Sequence, residues 1–133
     1  MNLLNKTCAA LALVGLSAMT TTAAFAGAND FEFQLVKAEV KQGDGAVVAV
    51  RLVDKRTGKE VPNAVIIAKR IDMSPDAMGE MQAPIELLPA TTPGTYSFKT
   101  NLSMQGRWLL SLGAKVQGEA ATIQGKLMVR AIP

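Results

Sequence analysis

Three thioethers and three carboxylates fall within one short stretch, Asp72-Met73-Ser74-Pro75-Asp76-Ala77-Met78-Gly79-Glu80-Met81-Gln82-Ala83-Pro84. Pro75, Gly79 and Pro84 interrupt helix and strand alike, so the stretch reads as a loop between two apolar runs. Methionine is soft and flexible. It fills irregular gaps in a core, and it becomes a ligand where Cu(I) or another soft cation is the target. Two readings of Met78 and Met81, spaced i and i+3 around a glycine, therefore stand side by side: a pair of thioethers converging on one soft ion, or two side chains seated over the open end of a β-structure.

The neighbouring candidates are weighed in the same way. Met73 shares parity with Ile67 and Ile71 on the preceding run, which favours a core position, although a residue at a strand end can still face the loop. Met104 precedes Gly106 and Trp108 and is expected at the same end of the molecule, either as a third ligand or as the last buried residue of its strand. Met128, between Lys126 and Arg130, has outward parity and is not counted as a ligand. Trp108 could face a cation through its ring, but its parity with Leu110 and Leu112 argues for a buried indole. Tyr96 is expected to be structural, with its ring inward and its hydroxyl on a nearby backbone group. Asp72, Asp76 and Glu80 lack the spacing of a calcium loop and read as a solvated acidic rim that would draw cations toward the thioethers.

The elements that must position these residues are strands. Phe31 to Val40 alternates with a change of parity near Val36, and Ala46 to Asp54 places Val48, Val50 and Leu52 on one face; the two form a hairpin across the turn Gln42-Gly43-Asp44-Gly45. Ala64 to Met73 is a third strand. Pro84 to Leu88 is a short edge strand, bounded by prolines that lack a ladder donor. Thr95 to Leu102, Arg107 to Val116 and Ala121 to Ala131 complete the set. No sustained 3.6-residue period occurs after the N-terminal segment, so the pattern predicts an immunoglobulin-like antiparallel β-sandwich of about seven strands.

The 133 residues begin with a charged start, Met1 to Lys6, and an apolar run from Cys8 to Met19 that ends in Ala24-Phe25-Ala26. That run is shorter than the ~20 residues that span a bilayer, so residues 1–26 are expected to be a cleaved signal peptide, with Gly27 as the mature start and a periplasmic or secreted destination. Cys8 opens the apolar run instead of following it and does not read as a lipid-attachment site. The remaining 107 residues, 27–133, suit one domain with one core. They carry thirteen Lys and Arg against eleven Asp and Glu, without a concentrated basic face, so nucleic acid is not an expected partner. With no histidine in the chain and its single cysteine at position 8, residues 27–133 contain no Ser-His-Asp triad, Cys/His zinc site or thiol nucleophile. The expected activity is binding and not catalysis.

The order Asp72-Met73, Met78, Met81, Ala83-Pro84, Pro93-Gly94-Thr95-Tyr96 and Met104-x-Gly106-x-Trp108 resembles the YtkA-like domain and the related FixH-like proteins, over roughly residues 33 to 130. The resemblance implies an exported or membrane-tethered β-sandwich associated with copper handling, oxidase assembly or heavy-metal efflux. FixH-type proteins carry a membrane anchor where this chain has a signal-like start, which brings the YtkA-like reading nearer. Two functions follow as expectations. One is uptake of a soft ion, Cu(I), through Met78, Met81, Met104 and Met73; the other is a metal-free module docking on an efflux or oxidase-assembly partner.

Overall fold

The computed structural model describes residues 30–133. The expected signal peptide and the start at Gly27 lie outside the described residues. Ten strands follow in order: β1 (Phe31–Leu35), β2 (Glu39–Lys41), β3 (Gly43–Asp54), β4 (Lys59–Glu60), β5 (Val65–Met73), β6 (Met78–Ala83), β7 (Ile85–Leu87), β8 (Thr95–Leu102), β9 (Gly106–Lys115) and β10 (Ile123–Ile132). They form two sheets. One runs β1-β3-β8-β7 with β4 added against β3, and the other runs β2-β10-β9-β5-β6.

Alternation explains why these segments pair as they do. In β8 the burial alternates strictly through Tyr96, Phe98, Thr100 and Leu102, and in β9 Trp108, Leu110, Leu112 and Ala114 face the same side. The two inner faces meet in one core that also takes Phe33, Val48, Val50, Leu52, Ile71, Met73, Ile123 and Val129. Trp108 and Phe98 are the largest fully buried side chains. Gly125 is needed at the contact between the sheets, because a Cβ there would lie 2.6 Å from the Phe33 ring.

The two-layer all-β architecture is the expected one, with three differences in detail. The strand count among the described residues is ten and not about seven, because the three short strands β2, β4 and β6 lie in segments that the sequence pattern does not mark as separate strands. The first predicted strand is divided: β1 pairs with β3 in one sheet, whereas β2 crosses over and pairs in parallel with β10 in the other. The parity change at Val36 marks that crossing. Finally, Gly43 to Gly45 belongs to β3, which runs through the predicted turn with a register shift between Asp44 and Ala46. No helix among the described residues is long and apolar enough to cross a membrane.

Candidate functional site

The methionine stretch is a β-hairpin and not an irregular loop. β5 ends at Met73, a 3-10 turn occupies Ser74–Asp76, and Ala77 takes a left-handed conformation at φ 61° with its N–H donating to the Ser74 carbonyl at 2.9 Å. Ala77 is the single non-glycine residue with positive φ among the described residues. It reverses the chain so that Met78 becomes the cross-strand partner of Met73. The next pairing is Asp72 with Gln82, so Gly79, Glu80 and Met81 bulge out of the ladder between them.

Pairing decides which thioethers approach each other. Residues directly opposite on an antiparallel ladder project on the same face with Cβ atoms about 4.5–5.5 Å apart. Met73 is fully buried, and Met78 is half-buried against the same core. The Met73 methyl also abuts Gly106, where an added Cβ would stand 2.6 Å from it. Gly106 follows Met104 by two residues, and the Met104 carbonyl accepts the Trp108 indole N–H at 3.2 Å. The structure thus brings Met73, Met78 and the Met104 segment to one end of the sandwich. Met81 does not share the position of Met78: it lies in the bulge and is 37% exposed, while Met104 is 38% exposed. Met128 sits outward on β10, also exposed, and the buried Trp108 presents no ring face to solvent.

Two arginines hold this end together, and the sequence reading missed both. Asp76 accepts the Arg107 backbone N–H and its Nε, each at 2.7 Å, and Arg107 Nη2 donates to the Pro75 carbonyl at 2.7 Å. Asp72, which is buried, accepts Arg70 Nε at 2.6 Å and the Ser74 N–H at 2.9 Å, while Arg70 Nη2 reaches the Gly79 carbonyl at 3.1 Å. The predicted acidic rim is therefore corrected. Two of its three carboxylates are committed to charge-assisted bonds that fasten the turn to β9 and the bulge to β5. The Asp72–Ser74 bond is an Asx turn, a signal present in Asp-x-Ser; the Arg107 contact needs the fold.

The electrostatics follow. Burial pushes the Asp72 carboxyl up, but hydrogen bonds from Ser74 and Arg70 outweigh it and leave the group below its ordinary value. The Arg107 backbone N–H, joined by its guanidinium, holds Asp76 below its ordinary value, with partial burial opposing. Among the described residues no three His, Cys, Asp or Glu side chains gather into a metal-sized group. The groups left without a charged partner at this end are the thioethers of Met78, Met81 and Met104, since Asp72 and Asp76 are already paired with guanidinium.

On the other sheet Tyr96 is buried, as expected. Its hydroxyl donates to the Val61 carbonyl at 2.6 Å and accepts the Ala64 N–H at 3.0 Å, and burial raises its pKa. This ties the segment leading into β5 to β8, and so fixes where the hairpin starts.

A two-sheet β-sandwich with a methionine-bearing hairpin clamped at one end is the class that fold and site define. The family model described as YtkA-like matches residues 25–113, and the chain belongs to that family. No curated protein matches significantly. Among solved structures, one titled "ZirS C-terminal Domain" is similar at 13% identity with a TM-score of 0.47, over 100% of this chain and 88% of that one. At that level nothing about function passes between the two.

Proposed function

We propose that this protein is an exported binding protein that takes up Cu(I) through thioethers at the clamped end of the sandwich, and is not an enzyme. The observation that carries the reading is the cross-strand pairing of Met73 with Met78 beside Gly106, which sets two thioethers on one face with the Met104 segment adjacent. Thioethers carry no proton to lose and form no disulfides, which suits an oxidising compartment such as the periplasm. Met81, in the bulge, is the rim ligand of this arrangement, and the YtkA-like and FixH-like resemblance supports a setting in copper handling or oxidase assembly.

The test is an anaerobic Cu(I) titration against a chromogenic chelator. Wild type is expected to bind about one Cu(I) per chain, and Met73→Leu with Met78→Leu to abolish binding. Leucine keeps size and apolarity but offers no lone pair, so the stability loss should stay below about 1.5 kcal/mol per site. Met81→Leu alone should weaken uptake less. Equal Cu(I) uptake by wild type and the double variant, or none by either, refutes the site. That result would favour a second reading, a metal-free module docking on an efflux or oxidase-assembly partner, which draws on the exposure of Met81 and Met104 at the same end.

A further inference from the structure

The first six residues of β5, Val65 to Arg70, form an open sheet edge. On one side they pair with β9, but β6 covers β5 only over Ile71–Met73, because the chain leaves the sheet at Ala83-Pro84 to enter β7. An uncovered strand turns alternate N–H and C=O groups outward, which is a template for an added strand. Two apolar side chains on it are well exposed, Val65 at 61% and Ile67 at 52%. Ile67 is the extra residue of a bulge, since Ile66 pairs with Ala114 and Ala68 with Gly113.

Beside this edge, the outer face of the sheet holds a groove of about 470 Å³ whose walls include Ile67, Lys69, Arg70, Ser111, Gln124 and Lys126. Its floor is low because Gly113 has no side chain there; a Cβ would lie 3.3 Å from that of Ala68. Arg70 is ion-paired with Asp72, whereas Lys69, Lys126 and Lys115, the last paired with Val65 on the ladder, have no ion-pair partner among the described residues. The edge is thus apolar in its first half and basic in its second, with further cations on the neighbouring strands.

We propose that Val65 to Arg70 receives an extended peptide segment of a partner protein by β-strand addition, with apolar side chains against Val65 and Ile67 and, on the opposite parity, acidic ones against Lys69, which pairs with Leu112. Main-chain pairing supplies affinity and the flanking pockets and charges supply specificity. A second copy of this chain is the poorer occupant: it would bring the same lysine to the joint, and a bulge with lysine on an edge is a device by which sheets discourage self-pairing. This surface is independent of the thioether end.

The probe is a synthetic eight-residue peptide alternating Val and Glu, with a Val and Lys peptide as control, added to the ¹⁵N-labelled protein. The Val–Glu peptide should slow amide exchange at alternate residues within Val65 to Arg70 and bind at least about tenfold tighter than the control. Lys69→Glu should remove that preference while leaving the thermal midpoint near that of wild type, since its side chain is exposed and has no ion-pair partner among the described residues. Ile67→Glu should weaken the Val–Glu peptide without affecting Cu(I) uptake. Equal affinity for both peptides, protection elsewhere on the molecule, a preference unchanged by the charge reversal, or a β5-mediated dimer in place of peptide binding would overturn the proposal.

Discussion

Replacing Gly106 with alanine tests whether the methionine end is as closely built as its geometry implies. Gly106 has φ 139°, a conformation that side-chain-bearing residues rarely adopt, and the new Cβ would lie 2.6 Å from the Met73 methyl and 2.8 Å from Asp76 Oδ2. Neither neighbour yields cheaply. Met73 is fully buried, and Asp76 is held by two bonds from Arg107. Backbone strain of this kind costs about 1–3 kcal/mol, and overpacking a filled site costs about 1–3 kcal/mol more. The expected loss is thus on the order of 2–6 kcal/mol, which in a domain of this size lowers the thermal midpoint by on the order of 10 °C or more. Urea denaturation followed by circular dichroism measures it. The same substitution in a Met73→Ala background separates the causes: with the methyl gone, only the strain and the Asp76 contact remain, so the second cost should fall by about 1 kcal/mol or more. A Gly106→Ala protein within about 0.5 kcal/mol of wild type would refute the contact argument, and an equal cost in both backgrounds would clear Met73 of any part in it.

Three further outcomes are expected. Tyr96→Phe should destabilise by about 1–3 kcal/mol, because the Val61 carbonyl and the Ala64 N–H lose their partner in a partly buried place; equilibrium unfolding reads it. Ala77→Gly should stabilise by roughly 0.5–1 kcal/mol, since glycine takes the left-handed turn without a Cβ penalty, and a thermal melt suffices to see it. Asp72 and Asp76 both titrate below their ordinary value of 3.8 when folded, so the stability they contribute is present above that value and is lost as pH falls through their lower folded values; NMR titration should show the Asp76 pKa rising only part of the way back in Arg107→Ala, because the guanidinium is lost while the backbone N–H still donates to the carboxylate, and acid stability should weaken in the same variant.

The strands with clean alternation were legible in the sequence: β5, β8, β9 and β10 lie where the pattern puts them, as does β3 from Ala46 onward, and the inward set Trp108, Leu110, Leu112 and Ala114 is the buried set. What escaped was set by partners distant in the chain. Gly79 and the flanking prolines argued for a loop, yet Met78 to Ala83 pairs with β5 because Ala77 accepts a left-handed turn and Arg107 fastens Asp76, and neither is a local propensity. The expected convergence of Met78 with Met81 rested on their spacing; ladder register instead sets Met78 opposite Met73, and register is fixed only when both strands are in place. The carboxylates looked free because their guanidinium partners lie on a neighbouring strand, or two residues back with an outward parity that reads as solvent-facing.

The crossing of the N-terminal segment from one sheet to the other has a kinetic meaning. β1 lies in the first sheet and β2, a few residues later, in the second, where Glu39 to Lys41 runs alongside Arg130 to Ile132, about 90 residues further along the chain. A polypeptide emerging N-terminus first, from a ribosome or through a translocation pore, holds β2 without its neighbour until β10 is free. Pairing at such separation carries a large loop-closure cost and comes late. Until then β2 has no strand to pair with, and β10 is the latch that brings it into the second sheet.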